Sequence, residues 1–154
     1  MTTTALITER AAQQVSSLRK KERRSYDQFL VALRAQGCAA LKYRLSGNDL
    51  LSKICVTHLA GALRVVVAFS ADNVANILLV APHDDGDPFM DVYSQLHELA
   101  GLTEPPAAER TKPPCCGVGG GRPPVPDGDL LADLADRARQ LSGANRRRAR
   151  RTAR

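Results

Sequence analysis

Leu63-Arg64-Val65-Val66-Val67-Ala68-Phe69, then Ser70-Ala71-Asp72-Asn73, then Val74-Ala75-Asn76-Ile77-Leu78-Leu79-Val80: two apolar, β-branched runs joined by a four-residue connection predict an antiparallel hairpin of ordinary loop length. Arg64 alone breaks the apolar character of the first run. Upstream, from Leu41, hydrophobicity alternates with a period of two, so that Leu41, Tyr43 and Leu45 face one way while Lys42 and Arg44 face the other. A further strand is expected over about Leu50–Thr57. Together these segments predict an antiparallel meander.

Helical spacing brackets the meander on both sides. Ala11, Val15 and Leu18 share one face, and after the charged stretch 19–24 so do Tyr26, Phe29, Leu30 and Leu33. Gly37 follows as a left-handed stop. A very short strand at Ala5–Ile7 would precede this helical hairpin. Beyond the sheet, Asp87 as N-cap with Pro88 at the first helical position predicts a last helix whose stripe is Phe89, Val92, Leu96 and Leu99, ended by Gly101. The expected class is α+β: an N-terminal helical hairpin packed on a small antiparallel β-sheet, with a C-terminal helix.

The 154 residues suffice for one domain and a tail. All six aromatics lie between Tyr26 and Tyr93, whereas seven of nine prolines lie between 105 and 126. The expected division is a folded domain over 1–102, a Pro/Gly-rich linker over 103–126, and a short amphipathic helix with an Arg-rich tail over 127–154. Leu130, Leu134, Ala138 and Leu141 mark that helix. The net charge of +6 is not spread evenly: residues 144–154 carry six basic groups and no acidic one. Arg146, Arg147, Arg148, Arg150 and Arg151 therefore form a candidate nonspecific nucleic-acid contact. Within the domain, residues 1–64 hold 11 basic against 4 acidic groups, and residues 65–102 hold none against 6.

No apolar run approaches the roughly 18 residues of a membrane span, and Met1–Ile7 lack the basic start and apolar stretch of a secretory signal. A cytoplasmic protein without membrane contact is the expectation. Cys38, Cys55, Cys115 and Cys116 contain no C-x-x-C pair, so neither a metal site nor a disulfide framework is expected, and no cofactor.

Arg64 inside an apolar strand must reach a partner or an open face, because burying a lone charge is expensive. A carboxylate of the segment Asp84–Asp91 is the structural candidate for that partner. The functional alternative places Arg64 beside Lys42, Arg44 or Lys53 on one cationic sheet face able to take phosphate. His58 and His83 flank strands at loop positions, and Tyr93 falls beside the apolar stripe of the last helix.

The order of these parts resembles the RelE/ParE superfamily of toxins from bacterial type II toxin–antitoxin modules. The likeness spans about residues 5–102: the helical hairpin, Lys42-Tyr43-Arg44-Leu45-Ser46-Gly47, the strand with Lys53, the strand with Arg64, and the path from Ile77 through His83 to Asp91-Val92-Tyr93. In the RelE branch the resemblance implies a metal-independent endoribonuclease that cuts messenger RNA on the ribosome. It implies Arg64 on the phosphate, Lys53 as charge stabiliser or base, His83 or Tyr93 handling a proton, and Lys42 and Arg44 on the RNA backbone. A cognate antitoxin is the implied protein partner. The loop Asp84-Asp85-Gly86-Asp87 stands where RelE-type enzymes carry basic residues. It favours the alternative of a non-catalytic, ParE-like module directed at gyrase.

Overall fold

The computed structural model describes residues 2–45, 51–101, 113–117, 121–126, 131–134, 136–137 and 140. The elements run β1 (Thr4–Ile7), α1 (Glu9–Ser16), α2 (Lys20–Gln36), a 3-10 turn (Gly37–Ala40), β2 (Tyr43–Arg44), β3 (Ile54–His58), β4 (Leu63–Ala71), β5 (Val74–Pro82) and α3 (Val92–Leu99). They build one five-stranded sheet in the order β1-β5-β4-β3-β2. β1 pairs parallel with β5, and the remaining ladders are antiparallel. The fold class is α+β, with N-terminal helices packed on a mostly antiparallel sheet.

The near-continuous apolar run of β4 follows from burial on both sheet faces. On one face Val65, Val67 and Phe69 meet Ala11, Val15, Tyr26, Phe29 and Leu33 of the helical hairpin. On the other, Val66 and Ala68 join Val56, Leu79, Val92, Leu96 and Leu99 under α3. Thr8 caps α1, its hydroxyl accepting from Ala11 N–H (3.2 Å) and donating to the Leu78 carbonyl (3.1 Å). Gly37 ends α2 with φ of 60°, and a Cβ there would meet Thr3 Oγ1 at 2.9 Å.

Two expected boundaries move. The strand expected over Leu50–Thr57 is β3 from Ile54; Leu51–Lys53 form a turn, and Leu50, like Ser46 and Gly47, lies outside the described residues. The last helix begins at Val92, not Pro88. Asp87 Oδ1 accepts from Phe89 N–H at 3.0 Å, closing a local turn, and the cap is Asp91, which accepts from Ser94 N–H. Phe89, expected in the stripe, is consequently 57% exposed.

The expectation of no disulfide framework is overturned. Cys38 pairs with Cys116 and Cys55 with Cys115, at Cα separations of 5.4 and 5.6 Å. Neighbouring side chains diverge, so vicinal cysteines that cannot readily bridge each other reach two different partners. The partners lie 78 and 60 residues away in sequence. Spacing rules built on C-x-x-C do not see such distances.

Part of the stretch read as linker is thereby docked. Arg44 N–H donates to the Pro113 carbonyl (2.7 Å), Cys115 is buried, and Arg122 pairs with Asp72 at the β4–β5 turn (3.6 Å). Residues 131–134, 136–137 and 140 are helical. Leu134 is buried in the α3-side core, and Arg137 Nη1 donates to the Leu99 carbonyl (3.0 Å) at the end of α3. The described residues after α3 thus reach both faces of the sheet. Residues 103–112 and the arginines Arg146, Arg147, Arg148, Arg150 and Arg151 lie outside the described residues.

Candidate functional site

Residues directly opposite in a ladder share a sheet face, so the register determines which side chains can meet. His58 is opposite Arg64, and Arg64 is opposite Ala81. Since Ala81 belongs to the α3-side core, His58 and Arg64 also lie on that face, at the end of the sheet where β5 runs out. Tyr43 is opposite Val56 and takes the same face. His83 follows β5, held by its N–H donating to the Ala62 carbonyl (2.8 Å). The first turn of α3 brings Tyr93 over this end.

The side chains form a connected polar cluster. Tyr43 Oη lies 3.0 Å from Tyr93 Oη and 3.3 Å from His58 Nε2. The His83 ring stands edge-on to the Tyr93 ring, with centroids 5.0 Å apart. Burial first, then the bond to Tyr43, pushes the Tyr93 hydroxyl well above the ordinary phenol range, while Arg64 nearby pulls the other way. Tyr93 therefore keeps its proton at neutral pH. Arg64 Nη1 donates to the carbonyls of Gly61 (3.2 Å) and Leu63 (3.1 Å). These bonds hold the guanidinium in place without neutralising it.

The acidic loop is occupied with its own backbone. Asp84 Oδ1 accepts from Gly86 N–H (3.0 Å), and Asp91 accepts from the N–H groups of Asp84 (2.8 Å) and Ser94 (2.9 Å), from Ser94 Oγ (3.0 Å), and from His83 Nδ1 (2.9 Å). Burial works to raise the Asp91 carboxyl, but these donors outweigh it and hold it below the usual range. Asp91 thereby sets the His83 ring with Nδ1 protonated and Nε2 outward. Asp85 Oδ1 approaches Nε2 at 3.5 Å from a side chain that is 92% exposed. Among the described residues, the loop forms no ion pair with Arg64.

Of the residues expected at a site, the structure brings together Arg64, His83 and Tyr93 and leaves three apart. Arg44 is opposite Cys55 and so faces the helical hairpin, where its Nε donates to the Pro114 carbonyl (3.1 Å). Lys42 is exposed beside β2. Lys53 is exposed in the turn before β3, five residues from His58, or about 16 Å of strand. Sequence reasoning passed over Tyr43, His58 and Asp91 as site residues. Register would have found His58, since a tight turn over 59–62 places 58 opposite 64.

No protein-family model matches the sequence, and no curated protein sequence matches it significantly. Among solved structures, a double mutant of Escherichia coli toxin RelE in the free state aligns with a TM-score of 0.44 and 19% identity, covering 56% of this chain and 88% of that one. A chain of the archaeal RelE–RelB complex from Pyrococcus horikoshii OT3 aligns with a TM-score of 0.42 and 22% identity, covering 56% of this chain and all of that one. Over about half its length, the chain is structurally similar to RelE toxins.

Proposed function

We propose that this domain is a toxin of RelE type that cleaves messenger RNA on the ribosome without a metal ion. The observation that carries the reading is the convergence of Arg64, His83 and Tyr93 at one end of the sheet, around a guanidinium with no carboxylate partner among the described residues. Cleavage by the neighbouring 2′-hydroxyl needs a proton acceptor, a proton donor for the departing 5′-oxygen, and positive charge on the phosphate. His83 Nε2 accepts the 2′-hydroxyl proton, and Asp91 on Nδ1 stabilises the imidazolium that forms. Tyr93 supplies the donor. Arg64 binds the phosphate oxygens, on which negative charge grows in the transition state.

A cognate antitoxin belongs to the same reading, as does action in the cytoplasm, where translation takes place. Induced expression should arrest growth and leave cut messages. Arg64→Ala should relieve both, with cleavage slowed about 10²- to 10³-fold. A purified chain that leaves ribosome-bound message intact while capturing gyrase would instead select the non-catalytic alternative.

A further inference from the structure

We infer that His58 is the proton reservoir of the site, feeding Tyr93 through the hydroxyl of Tyr43. This rests on the ribonuclease reading and extends it to two residues outside the assignment above. The geometry is a continuous path: His58 Nε2 to Tyr43 Oη at 3.3 Å, and Tyr43 Oη to Tyr93 Oη at 3.0 Å. Tyr43 is buried, with its ring set edge-on to His58 at a centroid distance of 5.8 Å, so the middle of the path is screened from water. His58 is half-buried at the end of β3 and can exchange protons with solvent.

The path answers a chemical difficulty. A tyrosine whose hydroxyl is pushed well above the ordinary phenol range is a weak acid and cannot readily be left as a phenolate after donating. With a relay no phenolate accumulates. As the P–O5′ bond breaks, the 5′-oxygen takes the Tyr93 proton, Tyr93 takes that of Tyr43, and Tyr43 takes the Nε2 proton of a cationic His58. At the other side of the phosphorus the 2′-oxygen forms its bond and its proton passes to His83. The products are a 2′,3′-cyclic phosphate and a free 5′-hydroxyl. His58 ends neutral and His83 cationic, and exchange with water resets both.

Among the described residues, the charged and titratable groups facing His58 include Tyr43 from β2, Arg64 opposite it on β4, and, through Tyr43, Tyr93 from α3.

The test uses the full chain on ribosomes programmed with a short message, comparing wild type, His58→Gln, Tyr43→Phe and the double variant over a range of pH. Tyr43→Phe keeps the ring and removes only the relay oxygen, so it decides the matter if His58→Gln does not fold. Each single variant should slow cleavage on the order of 10²-fold and lose the fall in rate at high pH that marks deprotonation of His58. The double variant should be no slower than either, because the residues act in series. A message with sulfur replacing the 5′-bridging oxygen at the cut needs no proton on its leaving group, and should bring all variants near the wild-type rate. A variant that keeps the alkaline limb, or a defect that persists with the sulfur message, overturns the relay. Wild type that cleaves neither message overturns the ribonuclease reading, and the relay with it.

Discussion

Breaking the inner bridge by Cys55→Ser with Cys115→Ser isolates what the docked segment contributes to stability. Were this bond the only cross-link, it would close a loop of sequence separation 60. With Cys38–Cys116 intact, the ring it closes is much smaller: residues 38–55 and the adjacent pair 115–116, about 19 residues, worth about 3 kcal/mol in lost unfolded-state entropy. The outer bridge alone, at a separation of 78, is worth about 4.5 kcal/mol, and the two together between 7 and 8, or about half of an ordinary domain's whole stability or more. Non-additivity is part of the prediction. For a chain of this length, 3 kcal/mol is a fall of about 6–12 °C in Tm. Thermal and urea melts of the double-serine variant, with and without reductant, read it directly. Titration of four free thiols in unfolded, unreduced protein, or melts that coincide with and without reductant, would refute the reasoning.

Reduction should also proceed in order. Cys55 and Cys115 are 0 and 1% exposed, whereas Cys116 is only partly buried. A thiolate needs access to attack, so alkylation during mild reduction should label Cys38 and Cys116 first. In a reducing compartment, the same trapping should find Cys55–Cys115 to be the more persistent bond. Leu134→Ala, at a position 1% exposed in the α3-side core, should destabilise the entire unit by about 2–5 kcal/mol; an unchanged urea midpoint would mean that the segment after residue 127 does not dock. Asp91 has its carboxyl held low in the folded state, so its stabilisation is complete above the ordinary carboxylate value and is lost as the pH falls through the folded one. Asp91→Asn, which still caps a helix, should flatten the acid limb of stability below about pH 4, and should slow cleavage by releasing His83. An unaltered acid limb in urea melts at pH 2–6 would count against the role of that carboxylate.

How far the site was legible differs residue by residue. Arg64 stands out because a charge in an apolar strand demands an explanation, and His83 and Tyr93 because they bracket the entry to α3. Asp91 was hidden by its acidic neighbours. All four carboxylates in 84–91 look alike in sequence, and only the turn at Asp87 shows that the helix cap lies four residues later. Lys53 and Arg44 read as partners of Arg64 from their charge, yet a one-residue difference in register sends Arg44 to the opposite face.

The local pattern by itself determined the elements and the class: β-branched runs and turn residues make the hairpin, helical spacing makes α1, α2 and α3, and even the docked helix near Leu134 announces its apolar stripe. These are short-range properties, written in residues three, four or two apart. Tertiary structure alone decided that Cys115 and Cys116 tie the later chain to β3 and to the end of α2, and that Tyr43, His58 and Arg64 share one end of one face. Those outcomes depend on which strands become neighbours and in what register. Long-range pairing of that kind is selected by burying the whole core at once, and no local window of sequence contains it.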